Sequence, residues 1–236
     1  MKQVCAIGRP IAMVVWVLST AFVAQAGIVT FDLSSQPGNQ TSTSPTLAPN
    51  VFASSLIRGP GITGAAGVGS INASGFTTIP AIDLSDYFQF TVSAAEGYAL
   101  NATQLAFGER RSASGVREFT VRTSLDAFQS FNFERTVSLP DDANLRNHVI
   151  DLEGISNFQG TVDIRIYGYA SEAASGTWRL VNHNEQGGVV LNGSVTAVPE
   201  PSSLVLLGAM TGTCLLFRRR VTHKLLWPSH ALGSVA

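Results

Sequence analysis

The sequence predicts an all-β fold: a two-sheet, jelly-roll-like β-sandwich flanked by an N-terminal signal peptide and a C-terminal transmembrane helix. Three observations carry that expectation. Apolar and polar residues alternate with period two in segment after segment of the central region. Clusters of Gly, Pro, Asn and Asp separate those segments, and no central stretch has a convincing period of 3.6. Many short strands at roughly even spacing belong to sandwiches and barrels.

The first element is residues 1–26. Lys2 and Arg9 form a positive start, Ile11 to Val23 is an apolar run, and Ala24-Gln25-Ala26 is a small-x-small cleavage site before Gly27. This is the secretory signal-peptide pattern, with Ala24 and Ala26 as the cleavage residues and the secretion machinery as the first partner.

Residues 27–197 form the exported domain. Asp86 to Val92 sets Tyr87 against Phe88, Phe90 and Val92. In Phe119 to Thr123, Phe119 and Val121 share a face and Thr120 and Arg122 take the other. In Thr161 to Tyr167, Val162, Ile164 and Ile166 point inward while Asp163, Arg165 and Tyr167 point outward. Further strands are expected at Ile28–Leu33, Val51–Ile57, Val68–Ala73, Tyr98–Phe107, Phe131–Val137, His148–Leu152, Thr177–Asn182 and Val189–Val195. Turns fall at Gln36–Asn39, Gly59–Gly61, Ala113–Gly115, Leu139–Asp142 and Gln186–Gly188.

The last elements are a span at 202–217 within segment 198–220, and a tail at 221–236. Ser202 to Phe217 carries no charge. As a helix it is roughly 24 Å long, short of a hydrocarbon core of about 30 Å by a mismatch that a bilayer absorbs. Arg218, Arg219 and Arg220 follow and belong on the cytoplasmic side of an inner membrane.

The chain has 236 residues, 13% of them charged, and a net charge of −1. That charged share is about half the usual quarter, which excludes a highly charged disordered chain and a coiled coil. Residues 27–198 hold nine Arg, no Lys and 15 Asp plus Glu, a net charge of −6 (9 minus 15). Nucleic acid is therefore not an expected partner. Both cysteines, Cys5 and Cys214, lie in the flanking segments. The domain has no disulfide and no thiolate for zinc or catalysis.

Pro199-Glu200-Pro201, the apolar span and the Arg218 to Arg220 cluster together resemble the PEP-CTERM sorting signal of bacterial exported proteins. The resemblance implies processing by an exosortase-type membrane protease, transient membrane anchoring, and then a place at the cell surface or in the extracellular matrix. Members of that family usually end at the basic cluster; here the chain runs on to Ala236. A second resemblance lies in the body. Leu56-Ile-Arg-Gly-Pro-Gly-Ile62, Ile71-Asn-Ala-Ser-Gly-Phe76, Asp86-Tyr-Phe-Gln-Phe-Thr-Val92, Val121-Arg-Thr-Ser-Leu-Asp126 and Arg165-Ile-Tyr-Gly-Tyr169 look like the body of a common group of PEP-CTERM proteins. That likeness implies a sandwich shaped like a carbohydrate-binding module and assigns no activity. Where the group often has Leu-Asp-Asn-Val, this chain reads Leu180-Val181-Asn182-His183.

Chemistry-bearing motifs are sparse. Gly59-Pro-Gly-Ile-Thr-Gly64 matches G-x-G-x-x-G, yet more glycines follow instead of a helix, so it reads as a loop. There is no G-x-S-x-G, H-E-x-x-H or EF-hand motif. The domain has only His148, expected at a surface or edge, and His183, expected in a polar loop. Asp83 with Asp86, and Asp141 with Asp142, are the carboxylate pairs to weigh for glycoside hydrolysis. Asp141 and Asp142 are also the candidate ligands for a structural calcium, the one cofactor considered. Exposed rings beside polar groups are what sugar binding needs. Arg165, Tyr167 and Tyr169 share a face and form the candidate sugar-binding set, while Trp178 is assigned with Leu180 to the core. Arg110, Arg111 and Arg117 surround a turn; pairing with Glu109 and Glu118 at the surface is expected, and contact with an acidic polysaccharide is the alternative.

The resulting expectation is a non-enzymatic, exported structural or adhesive protein of the bacterial envelope or extracellular polymer matrix. The alternatives are a carbohydrate-binding module and a polysaccharide-active hydrolase.

Overall fold

The structure is a computed structural model that describes residues 27–129, 136–152 and 155–199. The signal peptide, the apolar span, Glu200, Pro201 and the Arg218 to Arg220 cluster lie outside the described residues. Among the described residues no helix is long and apolar enough to cross a membrane.

The elements, in order, are β1 (Gly27–Phe31), β2 (Pro37–Gly38), β3 (Ser42–Thr43), β4 (Thr46–Leu47), β5 (Val51–Ala53), β6 (Leu56–Arg58), β7 (Thr63–Gly64), β8 (Ser70–Ser74), β9 (Tyr87–Ala94), β10 (Tyr98–Arg111) and β11 (Glu118–Thr123). A single 3-10 turn at Ser124–Asp126 follows. Then come β12 (Val137–Ser138), β13 (Arg146–Asp151), β14 (Thr161–Tyr169), β15 (Thr177–Val181) and β16 (Val189–Ala197). The longer strands form where the alternation predicts them; the two-residue strands β3, β4 and β7 lie outside that expectation, and β2 lies within the turn expected at Gln36–Asn39. Val51–Ile57 is split into β5 and β6, and most of Phe131–Val137 lies outside the described residues.

The strands make two sheets. The first runs β2-β8-β15-β10-β16-β1-β4, with β13 added on β10 and β7 on β8. The second runs β12-β11-β14-β9-β6-β3, with β5 added on β9. The long strand β10 organises the first sheet. Its Gln104 to Ala106 pair with β13 on one side and β16 on the other, and its Gly108 and Glu109 pair with β13 and β15. Because each residue has one partner per side, β15 and β16 lie end to end along the same flank of β10. Residues 182–188 bulge out between them.

The sheets pack face to face as a β-sandwich. The apolar sets read from the alternation are the ones that close: Phe88, Phe90, Val92, Phe119, Val121, Val162, Ile164 and Ile166 are all buried. Aromatic rings bridge the two layers. Phe31 meets Phe90 at 5.0 Å, Phe107 meets Phe119 at 5.6 Å, and Trp178 meets Phe88 at 5.7 Å and Phe119 at 5.6 Å between centroids. Trp178 is a core residue, as expected. Each such ring contributes roughly 1.5–3 kcal/mol by leaving water, and with no cysteine in the domain this packing carries its stability. Gly168 of β14 lets the layers approach: a Cβ there would lie 2.9 Å from Trp178 and 3.0 Å from Phe76.

Candidate functional site

The outer face of the second sheet is built by register. Directly paired residues of neighbouring strands point the same way. One row across the sheet is Ile57, Gln89, Arg165 and Arg122, from β6, β9, β14 and β11. The next row is Tyr87, Tyr167 and Thr120. Phe52 of β5 sits opposite Ser93 on the same face and is 62% exposed. Ile57 is also exposed.

Arg165 is the centre of this face. Its guanidinium lies between two rings, 4.2 Å from the centroid of Tyr87 and 3.9 Å from that of Phe128. Its Nε donates to Gln89 Oε1 at 2.6 Å, and one terminal nitrogen donates to the Tyr167 hydroxyl at 3.1 Å. These bonds use two of the five guanidinium N–H donors. Among the described residues no carboxylate comes within ion-pair distance of Arg165, which is half-buried. Tyr87 meets Tyr167 edge-on at 5.5 Å. The result is a flat cation held rigid by aromatic rings, an arrangement in which cation–π attraction and planar hydrogen bonding act together.

Arg165, Tyr167 and Tyr169 do share a face, but the two tyrosines are not an open platform. Tyr167 is fully buried and Tyr169 nearly so. Burial pushes the Tyr167 hydroxyl above its ordinary pKa, opposed in part by the Arg165 hydrogen bond and charge. The Tyr169 hydroxyl is 3.3 Å from Thr136 Oγ1. Tyr167 packs against Tyr87 and accepts a hydrogen bond from Arg165. After β11 the 3-10 turn bends the chain back, Ala127 and Phe128 adopt left-handed backbone angles, and the Phe128 ring comes down over Arg165. The accessible members of the face are Tyr87, Gln89, Phe52 and Ile57. The alternation of Asp86 to Val92 sets Tyr87 opposite the core residues; Gln89, two residues on, lies on the same side.

Asp141 and Asp142, the candidate calcium ligands, both face arginines. Asp141 Oδ1 lies 3.0 Å from Arg111 and 3.3 Å from Arg117. Asp142 pairs with Arg146, and its carboxyl is held below the usual range by the Asn144 N–H and then by nearby arginines. Each carboxylate already faces a guanidinium, whereas calcium needs several oxygens converging on one point. Among the described residues no group of three or more His, Cys, Asp or Glu could hold a metal ion.

Asp83 and Asp86 are engaged in turns. Asp83 accepts from the Ser85 N–H and hydroxyl at 2.8 and 2.7 Å. Buried Asp86 accepts from the Thr77 N–H at 2.7 Å, and desolvation raises its pKa. The G-x-G-x-x-G stretch is a loop: a Cβ on Gly61 would lie 2.1 Å from Asp86 Oδ1, so glycine there serves the packing of that turn.

The arginine turn departs from the surface pairing expected. Arg111 is buried and binds Asp141, Glu172 and the carbonyls of Ala113, Gly115 and Pro140. Arg117 joins Glu172 at 2.9 Å. Glu109 is buried on the core side, bonded to Arg146 and Trp178. His148 belongs to an edge strand as expected, yet its ring packs inward, 4.9 Å from Phe119 and 5.5 Å from Phe107. His183 sits in the loop between β15 and β16 and is buried there, its Nδ1 accepting the Glu185 N–H at 3.3 Å.

Two of the depressions on the surface of the described residues bear on a glycosidase reading. One, of about 340 Å³, has Arg110 and Arg179 in its lining and no carboxylate. The other, of about 430 Å³, has Glu185 as its single carboxylate. Neither holds the carboxylate pair of a glycosidase.

No family model and no curated protein matches the chain. Solved structures of family 29 carbohydrate-binding modules align distantly. One gives a TM-score of 0.36 at 14% identity, over 68% of this chain and 87% of that one. A mutant of such a module complexed with cellulohexaose gives 0.36 at 15% identity, over 68% and 89%. Likenesses of this size carry neither residues nor a ligand across.

Proposed function

We propose that this chain is an exported, non-catalytic surface protein whose jelly-roll-like sandwich holds extracellular polysaccharide on the outer face of its second sheet. It serves adhesion or structure in the polymer matrix around the cell. The observation that carries the reading is Arg165, held flat between Tyr87 and Phe128 with guanidinium donors to spare and no carboxylate partner among the described residues. A sugar ring can lay its C–H face on the exposed edge of this aromatic group and its hydroxyls on Gln89 and Arg165. Exposed Phe52 and Ile57 extend the face.

Export and sorting are part of the same proposal. Ala24 and Ala26 mark signal-peptide cleavage. Pro199, Glu200, Pro201 and the Arg218 to Arg220 cluster address the chain to an exosortase-type protease after brief anchoring in the inner membrane.

The test is a glycan array probed with the full chain in mild detergent. Saturable binding to one class of neutral glycan, lost in Arg165→Ala and Tyr87→Ala, is the expected result. Binding that both variants retain would remove this face from the reading. Sorting is tested by cell fractionation: replacing Arg218 to Arg220 with glutamine should leave the protein in the membrane fraction, unprocessed.

A further inference from the structure

We infer that the first sheet carries a separate site for a carboxylate-bearing sugar, in the groove where Arg110 and Arg179 lie side by side. The site is on the opposite face of the sandwich from Arg165 and does not depend on it.

Arg110 of β10 and Arg179 of β15 are directly paired across the ladder. Like charges placed directly opposite destabilise a sheet. Three other arginines meet acids: Arg111 and Arg117 share Asp141 and Glu172, and Arg146 binds Glu109 and Asp142. Arg165, paired with Arg122 in the second sheet, is instead held by two rings and neutral acceptors. Here, among the described residues, neither Arg110 nor Arg179 has a carboxylate within ion-pair distance. Arg110 uses its Nε on the Ala143 carbonyl at 2.7 Å, which orients it and leaves both terminal nitrogens unused. The guanidinium of half-buried Arg179 makes no hydrogen bond to any described residue. Burial and the charge of Arg110 both lower its pKa, so the pair is held at an electrostatic cost that an anion would relieve. A domain with an excess of acidic residues has left two cations facing each other without one.

The surroundings favour a sugar acid over a bare ion. The groove of about 340 Å³ is at the lower end of the range for small-ligand sites, roughly 300–1,000 Å³. Val68, Leu145 and Val181 line it, and Val68 and Leu145 are exposed, an apolar wall suited to the C–H face of a ring. Asn182 and Ser34 form a polar rim. The Asn182 amide and the Ser34 N–H are already bonded to the Asp32 carboxylate, at 2.8 and 2.9 Å, so the sugar's carboxylate belongs on the arginine side of the groove, away from Asp32. Two guanidinium forks on one side of a small groove match a planar carboxylate.

The experiment is calorimetric titration of the full chain with a uronic-acid trisaccharide, the matching neutral hexose trisaccharide, and a glutamate-rich peptide. The uronic-acid sugar should bind and the other two should not. Arg179→Gln and Arg110→Gln should each weaken that binding at least tenfold, and Arg165→Ala should leave it within twofold. Thermal unfolding of Arg179→Gln should show a midpoint no lower than that of the unaltered chain, since a like-charge contact has gone. No uronate binding, equal binding of the neutral sugar or the peptide, or affinity unchanged in both arginine variants would each overturn the inference. Loss of neutral-glycan binding in Arg165→Ala with uronate binding retained would separate the two sites.

Discussion

The carboxylate of Glu109, fully buried, accepts a 2.9 Å hydrogen bond from the indole N–H of Trp178. Its other oxygen accepts from Arg146 at 2.9 Å. A charge thus sits on the core side of β10 and is satisfied from both β15 and β13. Glu109→Ala would leave the indole N–H without its acceptor and Arg146 with Asp142 as its remaining acid. The expected loss is about 1–3 kcal/mol, read as a shift in the denaturant unfolding midpoint. A loss under about 1 kcal/mol would show that the cluster relaxes without it.

Arg111 ties the turn after β10 to Asp141 and Glu172 through one buried guanidinium. Lysine cannot reproduce that fork. Arg111→Lys should cost at least about 2 kcal/mol, measured by equilibrium unfolding. Stability equal to the unaltered chain would mean that the fork geometry is dispensable.

Gly168 sits where β14 passes under Trp178 and Phe76. A methyl group there would overpack the layer between the sheets. Gly168→Ala should destabilise by about 1–3 kcal/mol, seen as a lower Tm, with strand content by circular dichroism retained.

Asp86 is a buried carboxyl whose pKa is raised by desolvation. The folded state therefore holds its proton more tightly than the unfolded chain. The stabilising contribution is full below about pH 3.9, the unfolded value, and is lost as pH rises through the raised folded value. Asp86→Asn keeps an acceptor for the Thr77 N–H and has no charge to bury. Its Tm should exceed that of the unaltered chain at neutral pH, and the gap should shrink on acidification below about pH 4. A gap that is constant with pH would rule out titration of Asp86 as its source.

Tyr87 gives the Arg165 face its accessible ring. Tyr87→Ala should cost a bound neutral glycan at least about 2 kcal/mol, close to thirtyfold in affinity, because the ring and the rigidity of Arg165 go together. Phe128→Ala frees only the outer side of the guanidinium and should cost less. Titration of both variants against the same glycan checks the order, and the reverse order would move the contact toward the loop after β11.

How far the sequence reveals this molecule depends on the range of the forces involved. Val162, Ile164 and Ile166 face the core and Tyr87 and Arg165 face away because side-chain direction in a strand is local, set by neighbours one and two residues off. The sequence assigns Tyr167 to the outer face for the same reason. It does not show that the ring is closed off there, because Tyr87 meets it edge-on only once β9 pairs with β14. Glu109 and Arg111 read as surface charges since their partners stand far along the chain: Arg146, Trp178, Asp141 and Glu172. The opposition of Arg110 and Arg179 has the same origin. It exists only once β10 and β15 pair, and the register of that pairing is a property of the whole sheet. Asp141 and Asp142 look like an oxygen cluster in a Pro turn; Arg111 and Arg117, distant in the chain, pair with Asp141, while Arg146, four residues on, pairs with Asp142.

The last described strand, β16, is bonded on both sides, to β10 from Tyr98↔Ala197 to Ala106↔Val190, and to β1 from Gly27↔Asn192 to Phe31↔Val189. A pull applied at Ala197 along the strand therefore cannot peel it off one bond at a time. It loads the β10 ladder in shear from Ala197 to Gly193, and beyond that, from Asn192 to Val190, it must slide β16 past β10 and β1 together. Tension entering at Ala197 would thus meet a single ladder first and a doubled one deeper in the sheet, so resistance would rise as the load moved inward.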